Sequence, residues 1–130
     1  MKDELLNLII KYNDDKELNN LKDILDYLQN KSVYVYTTIK ISKQKLKQIP
    51  KNDLLIILDN LSIINNRQYF SVYSNQGIIA NQPYCLEVKI TDCLQFMKKM
   101  AITDEIIINP NTKYNLILDR NAIEYLKYYM

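Results

Sequence analysis

The side chains able to do chemistry in this sequence are best judged by their neighbours. Cys85 and Cys93 stand in "YCLEVKITDCLQ". A nucleophilic or redox thiol wants an adjacent base or a C-x-x-C spacing to favour its thiolate, and neither is here, so both read as small core residues. The sequence contains no histidine. The commonest general base, the commonest metal ligand and the usual partner of a serine or cysteine nucleophile therefore go together. With one glycine, Gly77, no phosphate-cradling loop or dinucleotide turn can be built. Asp53, Asp59, Asp92, Asp104, Glu105 and Asp119 are scattered over segment ends, where capping and solvation account for them better than a working acid–base pair. No catalytic, cofactor-binding or metal-ligating residue is assigned, and no cofactor is expected.

Tyrosines and lysines offer binding instead. Tyr34 and Tyr36 lie in "SVYVYTTI", and Tyr69 and Tyr73 in "QYFSVYS". Alternate residues of a strand point to one side, so the four would share a face if both stretches entered one sheet. Buried beneath a helix, they would be core; exposed, they would make a rigid amphipathic platform for a protein partner. Lys40, Lys43, Lys45, Lys47 and Lys51 form the one dense basic cluster. A solvated face is its first reading, and docking of an acidic partner through Lys43, Lys45 and Lys47 is the sharper one.

Composition sets the limits on these readings. A chain of 130 residues suits one domain able to bury roughly two-thirds of its unfolded surface. A hydrophobic fraction of 48%, a charged fraction of 25% and few Gly or Pro predict one ordered globular domain over residues 1–130 and exclude low complexity. Abundant Ile, Asn, Lys and Tyr match the codon bias of an AT-rich genome, which discounts each of them as a functional signal. A net charge of +2 is too small for a nucleic-acid partner. The start lacks a cationic and apolar leader, and no apolar run approaches the ~18 residues of a membrane span. A cytoplasmic protein without membrane contact is expected, its oligomeric state open.

The elements follow from periodicity. Leu5, Leu6, Ile9 and Ile10 share one helical face; Leu18, Leu21, Leu25 and Leu28 share another, with Asp14 and Glu17 forming a capping-box-like start and residues 13–15 the hinge. From Ser32 the period becomes two, predicting a strand with Val33 and Val35 on one side. Ser42 caps a short helix that turns Leu46 and Ile49 inward and stops before Pro50. "LLIILDNLSII", residues 54–64, reads as a strand covered on both faces in its first half. Residues 65–67 turn the chain into an antiparallel mate with Phe70 and Val72 on one face. Residues 75–84 read as irregular, with Gly77 at a position of positive φ. "CLEVKI" is a strand, and Thr91 or Asp92 caps a helix burying Leu94 and Met97, helped by Phe96 or Met100.

"EIIINPNTKYNLIL" is a corner. Pro110 lacks the amide hydrogen of a continuing central strand and pushes Asn109 towards extended backbone, while Asn side chains imitate a turn. The chain returns as a strand, and Asp119 caps a last helix that buries Ile123 and Leu126, with Tyr125, Tyr128 and Tyr129 around its rim. The expected architecture is a mixed, mostly antiparallel sheet of about five to six strands with helices packed on it, two helices at the N-terminus and one at the C-terminus.

With two N-terminal helices, the "VYVY" strand, "FSVYSN" at 70–75 and "IIINPNT" at 106–112, the sequence resembles the N-terminal domain of the SseB family, the enhanced serine sensitivity proteins of bacteria. Tyr36 replaces a usual Pro, the Lys-rich stretch 40–51 is extra, and the resemblance covers the family's first domain only. The resemblance implies a mixed α/β domain without established catalytic residues. The expected function is a non-enzymatic binding or regulatory domain acting by protein contacts. A small enzyme or ligand-binding domain using Cys or carboxylate chemistry, or an immunity or antitoxin-like protein of a mobile element, is the alternative.

Overall fold

The computed structural model describes residues 3–58, 60–78, 84–101 and 103–128. Asp59, Tyr129 and part of the 75–84 stretch lie outside them. The N-terminal helices are α1 (Glu4–Asp14) and α2 (Leu18–Asn30). Asp3 caps α1, its side chain accepting from the Leu6 amide. The expected capping box on Asp14 is not formed: α1 runs through Asp14, and Glu17 takes the N-cap of α2 with no side-chain bond. The buried stripe of α2 is Ile24, Leu25 and Leu28 rather than one beginning at Leu18, which is 79% exposed.

β1 (Ser32–Thr37) follows, then α3 (Lys43–Lys47), capped by Ser42 and anchored by Leu46. The next expectation is corrected. Residues 51–57 form a helix, α4 (Lys51–Ile57), and only β2 (Leu61–Ile64) is strand. A short apolar run suits a buried helix as well as a buried strand. Pro50 decides between them, because its φ of −58° at the N-cap leads straight into helical backbone where its missing N–H costs nothing.

β2 turns through Asn65 and Asn66, at φ 52° and 65°, into antiparallel β3 (Arg67–Val72). Positive φ at both central positions matches the twist of the flanking strands, and Asn tolerates it. β4 (Tyr84–Lys89) pairs antiparallel with β1 along its length. α5 (Ile90–Met100) leads to β5 (Ile106–Ile108), which lies parallel to β3; β6 (Leu116–Leu118) returns antiparallel to β5, and α6 (Arg120–Tyr128) closes the chain. Asp119 caps α6 by accepting from the Ala122 amide at 3.0 Å.

The six strands among the described residues form a pair, β1–β4, and a four-stranded sheet ordered β2–β3–β5–β6. Two hydrogen bonds between Tyr34 and Tyr73, each 2.9 Å, join them. The Ser71 and Tyr73 amides point to the same side of β3, so β2 takes one half of that edge and β1 the other. At the seam sits Asn60, 2% exposed. Its amide side chain completes the Tyr36 backbone as a strand would, accepting from Tyr36 N at 3.0 Å and donating to Tyr36 O, while its own carbonyl accepts from Ser71 N.

Phe70, Val72, Val33 and Val35 join Leu5, Ile9, Ile24, Leu28, Ile106, Leu118 and Leu126 in a single apolar cluster reaching both ends of the chain. Full burial of each such side chain stabilises by about 1.5–3 kcal/mol before chain entropy is counted.

Candidate functional site

The tyrosines do not form an exposed platform. Tyr36, Tyr69 and Tyr73 are buried, and Tyr36 meets Tyr73 edge to face with ring centroids 4.9 Å apart. Tyr34 alone of the four is half-exposed. It lines an open cleft of about 640 Å³ whose walls are the start of α1 (Asp3, Glu4), the end of α2 (Tyr27, Lys31), Glu87 of β4 and the turn from Ser74 to Gly77.

That turn is held from several sides. Asn109 Oδ1 accepts from Ser74 N at 2.9 Å, and Asn109 Nδ2 donates to Ser74 Oγ at 3.0 Å. Ser74 Oγ donates in turn to Asp3 Oδ2 at 2.7 Å, which also accepts from Asn75 Nδ2 at 2.6 Å. Asp3 Oδ1 meanwhile caps α1 at 2.9 Å. Tyr36 Oη donates to the Gln76 carbonyl at 3.1 Å, and Asn75 Oδ1 accepts from Gly77 N at 2.8 Å. One carboxylate thus ties the helix start to the end of β3, and one asparagine ties β3 to the Asn-Pro corner. The corner differs from expectation at two points. Asn109 adopts φ 55° rather than extended backbone, as Asn111 does at 62°, while Gly77 has no positive φ. The turn chemistry falls to asparagine, whose short polar side chain bonds locally and tolerates the left-handed region.

The cleft's electrostatics oppose phenol ionisation. Burial, then Glu4 and Asp3, push the Tyr27 phenol up from its ordinary value; burial, then Glu87, do the same for Tyr34. Both rings remain neutral hydrogen-bonding groups at physiological pH.

The lysine cluster divides. Lys43 and Lys47 reach inward to the two oxygens of Asp92, at 2.8 and 2.7 Å, while Lys40, Lys45 and Lys51 face solvent. Asp92 is 5% exposed and also accepts from the Lys89 amide, so it caps α5 from the third helical position while clamping α3. Lys89, rather than Thr91 or Asp92, is the N-cap residue. Burial raises the Asp92 carboxyl, but the bonds from Lys43, Lys47 and the Lys89 amide outweigh it and hold the group below its ordinary value. A carboxylate with a depressed native pKa stabilises fully above its unfolded value, near pH 4, and that contribution fades as pH falls through the native pKa. Asp92→Ala should therefore cost about 2 kcal/mol at pH 7, combining a lost cap with lost charge-assisted bonds. The difference from wild type should shrink below about pH 4, which urea titrations at both pH values would read.

Two of the other scattered carboxylates are ion-paired. Glu105 pairs with Arg67 and Asp104 with Arg120; Asp53 lies exposed in the first turn of α4. Cys93 is buried and Cys85 half-buried, and burial pushes both thiols up, away from the reactive thiolate. Among the described residues no group of three His, Cys, Asp or Glu side chains is placed to hold a metal ion, and no helix is long and apolar enough to cross a membrane.

Of the cleft residues, sequence reasoning found Tyr34 alone. Glu87 carried a weak signal as an outward position of an alternating strand; Asp3, Glu4 and Tyr27 carried none, since they meet only through the packing of α1 and α2. Comparison with protein-family models, curated proteins and solved structures finds no match.

Proposed function

We propose that this chain is a non-enzymatic binding or regulatory domain, of the kind its resemblance to the SseB N-terminal domain implies, and that it works by protein contact through the cleft between α1, α2, β1, β4 and the Ser74–Gly77 turn. One observation carries this reading: the cleft wall is fixed in advance by the Asp3–Ser74–Asn109 hydrogen bonds. A recess held rigid before binding loses less entropy when a partner docks. The rings of Tyr27 and Tyr34 supply large amphipathic contact area at low side-chain entropy cost. The two stretches that carry the family resemblance, 70–75 and 106–112, meet at this wall through Ser74 and Asn109. The Lys-rich segment becomes the lesser candidate, because two of its three proposed contacts serve Asp92.

Capture from native lysate tests the proposal. Immobilised wild type and a Lys45→Glu variant should retain the same proteins, and a Tyr34→Ala, Glu87→Ala double variant of unchanged melting temperature should retain at least about tenfold less. Equal recovery on all three, or nothing recovered by wild type above a blank matrix, would remove the cleft as the working surface.

A further inference from the structure

Resting on that reading, we infer that the partner's contact element is an exposed segment bearing lysine or arginine, whose cationic head enters the cleft among Asp3, Glu4 and Glu87 while its aliphatic stem lies along Tyr27 and Tyr34.

Charge complementarity is the first argument. The chain as a whole carries +2, yet among the described residues the cleft lining sets three carboxylates, Asp3, Glu4 and Glu87, against one ammonium, Lys31. Local sign is opposite to global sign, so the recess selects cations where the rest of the surface does not. The ion pairs among the described residues engage Asp92, Glu105, Asp104 and Glu124. Glu4 and Glu87 take part in none of these, so a cation brought to them would not have to displace a described ion pair. The second argument is the lining itself. Two neutral phenol rings beside carboxylates provide ring faces for cation–π contact, which strengthens as the cation is desolvated, and an apolar surface for the long stem of Lys or Arg. Burial first, and these carboxylates second, oppose ionisation of both phenols, so the rings stay neutral beside acidic side chains. Third, the volume of about 640 Å³ falls within the roughly 300–1,000 Å³ of sites that enclose a ligand. The recess is also open on one side, which suits a side chain presented on a continuing chain.

The probe is a blocked hexapeptide alternating Gly with Arg and Lys, titrated into the ¹⁵N-labelled full chain at low salt. Saturable shifts are expected at Tyr27, Lys31, Tyr34, Ser74 to Gly77 and Glu87. Affinity should drop about tenfold in a Glu4→Gln, Glu87→Gln variant and weaken with added salt. An isosteric peptide with citrulline and acetyl-lysine should bind at least tenfold more weakly. Butylguanidine alone should bind far more weakly than the peptide; equal affinity would mean a small-cation site and overturn the inference. So would absent saturation, equal binding of the neutral peptide, or shifts centred on the exposed acids Asp14, Asp15, Glu17 and Asp23. Lysate partners lost on Tyr34→Ala but retained on Glu4→Gln, Glu87→Gln would sink the cationic occupant while leaving the cleft as the docking surface.

Discussion

Asn60→Asp should be among the most damaging single-atom-scale changes in the molecule, lowering unfolding free energy at pH 7 by about 4 kcal/mol, against about 3 kcal/mol for Asn60→Ala. The native amide gives the Tyr36 backbone both an acceptor and a donor in a site 2% exposed. Alanine leaves one buried N–H and one buried C=O unpaired, each costing on the order of 1–3 kcal/mol. A carboxylate still accepts from Tyr36 N but sets a second negative oxygen against Tyr36 O and adds a buried charge. The two variants then separate by pH. In the folded protein the introduced carboxyl has a raised pKa, so its penalty is present above its unfolded value, near pH 4, and lifts as protonation restores a donor. Urea unfolding should show Asn60→Asp regaining stability over Asn60→Ala towards pH 4. That trend is opposite in sign to the native behaviour of Asp92.

The second large effect is expected at Asn109, 1% exposed and at φ 55°. Asn109→Ala removes the acceptor of Ser74 N and the donor to Ser74 Oγ and leaves a Cβ-bearing residue without local side-chain bonding in the left-handed region. Together these should cost about 3 kcal/mol, or roughly 12 °C in melting temperature for a chain of this size. Asn109→Gly loses the same bonds but no longer strains the backbone, and should recover about 1 kcal/mol of that deficit. Thermal denaturation of the pair separates conformation from hydrogen bonding. Both variants should also weaken binding at the cleft, since Ser74 would lose the partner that fixes its position.

Local chemistry explains what the sequence revealed. The α1–α2 pair, β1, the Asn65–Asn66 hairpin, the Asn-Pro corner and the Asp119 cap each depend on residues within a few positions of one another, where periodicity and turn preference act. The 54–58 run misled because five consecutive apolar residues satisfy a buried helix and a buried strand alike, and the deciding residue, Pro50, was read as the end of one helix rather than the start of the next. Asn60, and the reach of the turn residue Asn109 to Ser74, were hidden for another reason. Asparagine is common throughout this chain, so composition argued against weighing any one of them. Their partners, Tyr36 and Ser74, are 24 and 35 positions away. The cleft was illegible on the same grounds, because Asp3 and Ser74, 71 positions apart, meet only once β3 and α1 are in place. Tyr34 could be singled out as a strand tyrosine, but nothing near it in sequence distinguished it from the buried Tyr36 and Tyr73.

Site-specific photo-crosslinking in the native host tests the central claim most directly. A benzophenone side chain placed at Tyr34, in the cleft, should yield a discrete adduct with another protein, whereas the same group at Lys45 or at the exposed edge residue Ile63 should not. Adducts at Lys45 or Ile63 with none at Tyr34 would contradict a protein that recognises its partner through the cleft.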